Sequence, residues 1–211
     1  MSEAANADAI VIGAGIIGCG IALALVKDSH DVVVVDANPA AGYGSTSSSM
    51  AIIRTFYSTP EGCALAWEGL HIWRDWKAFL DLDDGEALAD YVECGALILR
   101  NRDDDGMALM CRNLSALGVA WEAWDLDRLS AHLPGIDTRS FAPPRRADDA
   151  RFGEDNGTRL TGALYFPDSG YVSDPQLAAR NMADAAQALG ARFRFNAKVS
   201  GIACHDDRVA G

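Results

Sequence analysis

A glycine-bearing turn between two short apolar segments constrains this chain more than any other feature. Residues 13–18 read GAGIIG, follow the apolar segment 9–12, and open a proline-free segment, 16–27, that is rich in Ile, Ala and Leu. Four valines at 32–35 come next and end at Asp36. The order strand, glycine turn, helix, strand and acid is typical of a βαβ unit that binds a dinucleotide.

Each glycine of this turn has its own expected role. Gly13 makes the tight turn after the first strand, Gly15 lets the main chain approach a diphosphate, and Gly18 lets the helix pack closely on the sheet. The helix N-terminus then offers unpaired N–H groups to the phosphates. Asp36 follows Gly18 by 18 residues and can accept hydrogen bonds from ribose hydroxyls. The alternative is an ordinary βαβ unit that carries glycines by chance, which the complete context disfavours.

Composition and charge exclude several classes of protein. The 211 residues suffice for one large domain or two small ones, and a net charge of −12 argues against nucleic acid and anionic membranes as partners. The five cysteines form no CxxC pair, so neither a metal site nor a disulfide framework is expected. We therefore predict reduced thiols in a cytoplasmic protein. Residues 1–8 do not resemble a signal peptide, and no run of 18 apolar residues predicts a membrane span.

The small, hydroxylated segment after Asp36 has two interpretations. Residues 37–49 read as a flexible linker, or as a loop that folds back to make further phosphate contacts. We favour the loop because an apolar and then cationic segment, 50–54, follows at once.

Periodicity predicts the remaining elements. Segment 9–12 has the composition of a buried parallel strand, and segment 32–35 that of a strand buried on both faces. Asp174 with Pro175 predicts the start of a helix that stops at Gly190. We expect further helices at 60–80, 104–117 and 125–133, further strands at 96–99, 119–124, 163–166 and 192–195, the start of another strand within 198–203, and a long surface excursion at 139–161.

These elements predict an α/β fold, with an incomplete Rossmann-like βαβ sheet and an inserted α+β substrate domain. The strand–helix–strand–helix region after residue 90 carries no glycine fingerprint of its own, which suits such an insertion. We predict a first part of the dinucleotide-binding domain at 1–85, a substrate-binding domain at 86–172, and a return segment at 173–211.

Three stretches together resemble the D-amino-acid oxidase-like FAD-dependent oxidoreductases, the group that includes sarcosine oxidase, glycine oxidase and dimethylglycine dehydrogenase. They are residues 10–18 with Asp36, residues 44–54 followed by Tyr57, and residues 165–175. The resemblance implies FAD as cofactor. It also implies that these residues bind the cofactor: Gly13, Ala14, Gly15, Ile16, Ile17, Gly18, Asp36, Ala37, Gly44, Ser45, Thr46 and Ile53.

The resemblance further implies that Arg54 binds a substrate carboxylate, a role that suits a planar guanidinium. A structural ion pair or a contact to FAD are the alternatives for this side chain. The sequence departs from the family pattern at Asp36, where Glu is usual, and from the sarcosine oxidase pattern at Ala51, where a second basic residue is common. The histidine that carries flavin covalently in dimethylglycine dehydrogenases falls near Ser48, which is a serine here. We therefore expect FAD to be bound without a covalent link at Ser48.

The expected activity is oxidation of glycine, an N-methylated amino acid or a D-amino acid by hydride transfer to the flavin. The electron acceptor is left open between oxygen and another protein. Family members are commonly about twice as long as this chain, which predicts a fragment of a longer protein, a truncated gene product or one piece of a split assembly. Without the missing strands, one edge of the strand that contains Ile10 is expected to lack its neighbour. Alternatives are a flavin dehydrogenase of a hydroxy acid or polyol phosphate, a non-catalytic nucleotide-binding fragment, and an NAD-dependent dehydrogenase.

Overall fold

The computed structural model describes residues 6–82, 85, 87–101, 105–205 and 208–209, which form two compact units. The first unit comprises residues 1–52, 72–92 and 171–211, and the second comprises residues 53–71 and 93–170. The helices are α1 (Ile16–Lys27), α2 (Pro60–Arg74), α3 (Trp76–Leu80), α4 (Asp105–Ala116), α5 (Leu126–His132) and α6 (Pro175–Ala188). The strands are β1 (Ala9–Ile12), β2 (Val32–Val35), β3 (Ile52–Ile53), β4 (Tyr91–Val92), β5 (Ala96–Arg100), β6 (Glu122–Trp124), β7 (Gly162–Phe166), β8 (Gly170–Val172), β9 (Arg192–Arg194), β10 (Cys204–His205) and β11 (Arg208–Val209).

A parallel sheet of order β1-β2-β9 forms the centre of the first unit. In its register Val11 lies opposite Val34, and Val34 lies opposite Phe193. Strand β2 is therefore paired on both sides, and Val32, Val33 and Val34 are buried, as the four-valine segment predicted. The mixed α/β class predicted from the sequence is confirmed.

Strand β1 has an edge that no described strand pairs with, as expected from the length of the chain, but its side chains are less buried than its composition predicts. Among the strands that the structure describes it pairs only with β2, and the Ile10 and Ile12 side chains are 52% and 55% exposed. The prediction of a buried strand is therefore wrong for the Ile10 and Ile12 side chains, whereas Val11 is buried. Alternate residues of a strand face opposite sides of the sheet, so Ile10 and Ile12 share one face, and the described residues leave that face of β1 largely uncovered.

Helices α1 and α6 pack together in the first unit. Small side chains on α6, including Ala179, Ala183 and Ala186, are buried and permit a close approach to the Leu23 face of α1. Helix α6 also holds residues 87–89 in place through Asn181. The Asn181 side-chain amide donates to the Ala87 carbonyl (2.9 Å) and accepts from the Ala89 N–H (3.0 Å). Because Asn181 is buried, these bonds satisfy polar groups that water does not reach.

The single helix predicted for residues 60–80 is two helices. Asp75 separates α2 from α3 with φ −122° and ψ 43°, outside helical values. The rings of Trp73 and Trp76 stack across the break with centroids 4.4 Å apart, and Trp76 is buried. A single non-helical residue leaves the apolar spacing almost unchanged, so periodicity does not reveal the interruption.

The second unit is built on an antiparallel sheet of order β5-β7-β6. Central strand β7 buries both of its faces, since Leu164 and Phe166 belong to one apolar cluster with Leu114 of α4, and Ala163 belongs to another with Leu129 of α5. The predicted strand and helices of this region are present in the same order. Residue 104, the expected first residue of α4, lies outside the described residues.

Two further small sheets complete the described chain, with orders β3-β8-β4 and β10-β11. The predicted start of a strand within 198–203 is wrong, because those residues are irregular and the next strand is β10. The segment 139–161 contains only an isolated bridge between Arg139 and Arg159, in keeping with an excursion. None of the helices described is both long and apolar enough to cross a membrane.

Candidate functional site

The turn between β1 and α1 has the geometry that its glycines predict. Gly13 has φ +103°, a conformation that favours glycine, and its N–H donates to the Val35 carbonyl of the neighbouring strand at 2.8 Å. Gly15 is the N-cap residue of α1 and has extended backbone. Because glycine has no side chain, the N-cap residue itself cannot cap the helix. The turn is thus fixed to the sheet while the helix end remains without a local cap.

The other two glycines are required by close contacts. A Cβ atom on Gly18 would lie 1.8 Å from the Gly13 carbonyl oxygen, a main-chain atom with no room to move. A Cβ on Gly15 would lie 3.1 Å from the Thr46 Oγ1 atom. Gly18 is therefore required by the packing of the turn itself. At Gly15, the absence of a side chain leaves the main chain of the turn accessible to a ligand.

The Asp36 carboxylate is held at the carboxyl end of β2. One oxygen, Oδ2, accepts from the Ala14 N–H at 2.6 Å, and the other, Oδ1, accepts from the Asn38 N–H at 2.7 Å. Each carboxylate oxygen has a second lone pair, so the side chain retains capacity for a hydroxyl donor. Asp36 is only half-buried, which leaves that capacity accessible.

The segment after Asp36 folds against this turn. The Thr46 hydroxyl accepts from the Ile16 N–H at 3.1 Å, and the Gly42 N–H donates to the Ala14 carbonyl at 2.8 Å. These contacts agree with the loop interpretation rather than the linker. Gly44 and Ser45 are exposed in the same loop, and Ala37 is exposed after Asp36.

The first turn of α1 keeps main-chain donors for a ligand. The N–H groups of Ile17 and Gly18 have no hydrogen-bond acceptor in the part of the chain that the structure describes. Together with the partial positive charge of the helix end, they form a donor set for an anion. The Ile17 side chain is 76% exposed, so we attribute the cofactor contact predicted for Ile17 to its main-chain N–H group.

The Cys19 thiol lies directly beneath this turn and is chemically quiet. Burial, followed by the charges of Asp36 and Asp184, raises the pKa of Cys19 to about 12. Its thiol donates to the Ala14 carbonyl at 3.4 Å. A neutral thiol places no negative charge near the donor set, and at physiological pH it is not a nucleophile.

Arg54 and Ile53 lie in the second unit, at the end of β3. The Arg54 guanidinium is exposed and lies over the Tyr57 ring, with its carbon 4.5 Å from the ring centroid. Arg54 forms no ion pair with any carboxylate that the structure describes. The structural ion pair considered for this residue is therefore not observed among the described side chains.

Several polar interactions at or near the predicted site residues were not predicted from the sequence. Asn38 donates to Asp36 through an Asx turn, a signal that the spacing of the two residues carries. The pairing of Thr46 with Ile16 spans 30 residues and has no local signal. In the second unit, the hydroxyls of Thr55 and Ser169 are buried without a partner among the described atoms, next to the motif residues Arg54 and Gly170.

Comparison with known families assigns the chain. The model of the family described as FAD dependent oxidoreductase (DAO) matches residues 8–211. The chain belongs to this family. The FAD dependent oxidoreductases use FAD as cofactor, and the resemblance identified from residues 10–18, 44–54 and 165–175 is confirmed at family level.

Solved structures share the fold of this family member. Glycine oxidase from Bacillus cereus ATCC 14579 is 20% identical with a TM-score of 0.67, and the alignment covers 97% of this chain and 50% of that one. L-proline dehydrogenase from P. horikoshii is 21% identical with a TM-score of 0.70, with coverage of 95% and 46%. L-amino acid deaminase from Proteus vulgaris is 21% identical with a TM-score of 0.69, with coverage of 97% and 43%. The chain thus spans about half the length of these proteins or less, and no curated protein sequence matches it.

The residues present fit the diphosphate and ribose of FAD. The donors of Ile17 and Gly18 suit phosphate oxygens, and the bare surface at Gly15 gives a large anion room to approach. Asp36 offers acceptors for a ribose hydroxyl at the end of the adjacent strand. The structure brings Gly13 to Gly18, Asp36 and Thr46 together at one corner of the first unit.

Proposed function

We propose that this chain is the FAD-binding part of an oxidoreductase that oxidises an amino acid or an N-methylated amino acid. The observation that carries the proposal is the corner formed by the α1 N-terminus, Gly15 and Asp36, inside a chain of the FAD dependent oxidoreductase family. FAD, when bound, supplies the acceptor for a hydride equivalent from the substrate. The steps described next concern this chain's own residues.

The corner has two binding tasks. The N–H groups of Ile17 and Gly18 donate to the diphosphate oxygens, where the helix dipole adds to the attraction. Asp36 accepts from a ribose hydroxyl while its bonds to Ala14 and Asn38 keep its orientation fixed. We also assign supporting main-chain or loop contacts to the remaining members of the site predicted from the sequence: Gly13, Ala14, Ile16, Ala37, Gly44, Ser45, Thr46 and Ile53.

Arg54 is the proposed partner of the substrate carboxylate. Its guanidinium has a planar set of donors that matches a carboxylate in two places, and its charge persists when water is partly removed. The contact with the Tyr57 ring limits the orientations of the guanidinium and leaves its N–H edge available. Carboxylate binding of this kind orients the substrate, and positioning is the main contribution of a protein to cofactor-based redox chemistry.

The names of the similar proteins support an amino acid substrate. Glycine oxidase, L-proline dehydrogenase and L-amino acid deaminase each act on a compound that has an amino group and a carboxylate. A guanidinium without an acidic partner among the described side chains suits that carboxylate. Of the substrates considered, we therefore place amino acids before hydroxy acids and polyol phosphates.

A spectroscopic experiment tests the proposal in two steps. The purified 211-residue chain is incubated with FAD, desalted, and examined for retained flavin absorbance. Glycine, sarcosine, D-alanine, L-proline, lactate and glycerol 3-phosphate are then added separately without oxygen, and loss of flavin colour is recorded. Bleaching by an amine-bearing acid supports the proposal, and bleaching only by lactate or glycerol 3-phosphate replaces it with the hydroxy acid alternative. Retained flavin that no compound bleaches supports the non-catalytic alternative, and failure to retain FAD overturns the binding site.

A conservative variant tests Arg54 directly. Arg54→Lys keeps the charge but loses the planar donor pair, so we expect KM for acid substrates to rise by about tenfold while flavin retention stays unchanged. Arg128→Lys is a matched control, because the Arg128 guanidinium also lies over an aromatic ring, Trp124, at 4.6 Å in the same unit. An equal loss of substrate affinity and flavin in Arg54→Lys would make Arg54 a cofactor or structural residue.

A further inference from the structure

The second unit contains a cavity of about 520 Å³ that the proposed function does not use. It lies between helix α4 and the sheet β5-β7-β6, and all the residues that line it belong to this one unit. Its wall includes Met107 and Cys111 of α4, Leu164 of β7 and Trp121, the residue that precedes β6. Cavities of this size are typical of small-molecule sites.

The inner wall of the cavity is apolar. Leu164 and Cys111 are buried, and Met107 contributes a flexible thioether chain that adapts to ligand shape. The Trp121 indole N–H donates to the Ser115 hydroxyl at 3.0 Å, which fixes the ring. The wall therefore favours the apolar body of a ligand.

Two arginines line the same cavity. Arg100 is the last residue of β5, and Arg112 is an exposed residue of α4. Burial raises the pKa of the Cys111 thiol, and the positive charge of Arg100 acts in the opposite direction, so Arg100 lies within electrostatic reach of this wall residue. The Arg112 side chain has no hydrogen bond or ion pair within the described part of the chain.

Guanidinium groups beside an apolar cavity are a distinctive feature in a chain with a net charge of −12. The Arg112 guanidinium has no carboxylate partner among the described side chains. A carboxylate is its natural complement, because a guanidinium binds a carboxylate with two parallel hydrogen bonds. Charge and apolarity together define a ligand with one anionic head and an apolar body.

We propose that this cavity binds a medium-chain alkyl carboxylate, with the chain against Leu164, Met107 and Trp121 and the carboxylate at Arg112. One liquid water molecule takes about 30 Å³, so the 520 Å³ cavity holds roughly 17 non-hydrogen atoms, and decanoate, with about 12, fits inside it. The site involves none of the residues assigned to FAD or to the amino acid substrate. Its occupation is therefore independent of the proposed function.

Direct binding measurements on the full chain test this site. We expect saturable 1:1 binding of decanoate by calorimetry, with at least fivefold weaker binding of decanol and no measurable binding of acetate. Arg112→Gln is expected to weaken decanoate at least fivefold and to leave decanol unchanged. Arg180→Gln is the matched control, since Arg180 is an exposed helical arginine of the first unit.

A second variant tests the apolar half of the site. Ala108 lines the cavity from an exposed position on α4, so Ala108→Trp fills the space with little expected effect on folding, which circular dichroism verifies. We expect this variant to lose decanoate and decanol together. Absence of saturable decanoate binding to the folded chain overturns the proposal. So does unchanged affinity in Ala108→Trp, or equal decanoate affinity in Arg112→Gln and Arg180→Gln. FAD retention is measured on the same samples, so a failure of the flavin site is recognised separately.

Discussion

Helices α1 and α6 pack side by side in the first unit, yet their N-termini are completed in opposite ways. At α6, Pro175 in the first position has no N–H, and the Asp174 carboxylate accepts from the N–H groups of both Gln176 and Leu177 at 2.9 Å. At α1, the N-cap is Gly15, and the one side chain that accepts from the first turn is Thr46, 30 residues away from Ile16.

The comparison separates a structural helix end from a binding one. The first turn of α6 is satisfied by its own neighbour in sequence, so it offers no donors to an anion. The first turn of α1 retains the N–H groups of Ile17 and Gly18, and glycine leaves the approach clear. The same physical requirement, to satisfy the first N–H groups of a helix, is met internally in one case and left to a ligand in the other.

The largest expected effect comes from Gly18→Ala, which would show whether the α1 turn tolerates any side chain. The added Cβ would meet the Gly13 carbonyl oxygen at 1.8 Å, so we expect a loss of at least about 3 kcal/mol in unfolding free energy. Urea unfolding measures this. Gly20→Ala in the same helix is the control, because its Cβ would meet only Met182 Sδ at 3.4 Å, an ordinary contact. Equal stability of the two variants would contradict the geometry of the turn.

Gly15→Val tests the binding role of the α1 end. Its side chain would occupy the surface where a diphosphate approaches, so we expect FAD affinity to fall at least about 100-fold, equivalent to about 2.7 kcal/mol. Fluorescence titration with FAD provides the measurement. Gly69→Val is the control, since a Cβ at Gly69 meets no atom within 4 Å. Full flavin content in Gly15→Val would place the diphosphate elsewhere.

Asp174→Ala tests the structural role of the α6 end. Loss of its two bonds to Gln176 and Leu177 should destabilise the chain by about 1 kcal/mol, the usual effect of removing an N-cap. FAD affinity should not change. Thermal unfolding and flavin titration on one preparation measure both quantities, and a selective loss of flavin would show that the two helix ends are not functionally distinct.

Thr46→Val should have the smallest effect. It keeps the shape of the side chain and removes the acceptor of the Ile16 N–H, which costs about 0.5–1 kcal/mol because water can replace the hydroxyl at this half-buried position. Urea unfolding against the wild-type chain provides the measurement. A loss of more than about 2 kcal/mol would mean that α1 depends on its remote cap as strongly as helices depend on local ones.

The sequence predicted what depends on neighbours along the chain. Residue type and spacing predicted the turn at residues 13–18, the acid at Asp36 and the helix cap at Asp174. The helices and strands next to these features are present in the structure. Strands β1 and β2 show the limit of this approach. Both are four-residue apolar segments, but only β2 has a paired strand on each side among the described residues, and Ile10 and Ile12 are exposed.

Local residue chemistry alone therefore determined where the chain turns, which helix end lacks a local side-chain cap, and which family the chain resembles. Only the tertiary structure decided that Thr46 meets Ile16, that Asp36 is oriented by Ala14, and that α4 and a sheet enclose a cavity with two arginines. The physical reason is the range along the sequence over which each interaction acts. Turn and cap preferences act within a few residues, whereas these contacts join segments whose separation in sequence carries no local energetic signal.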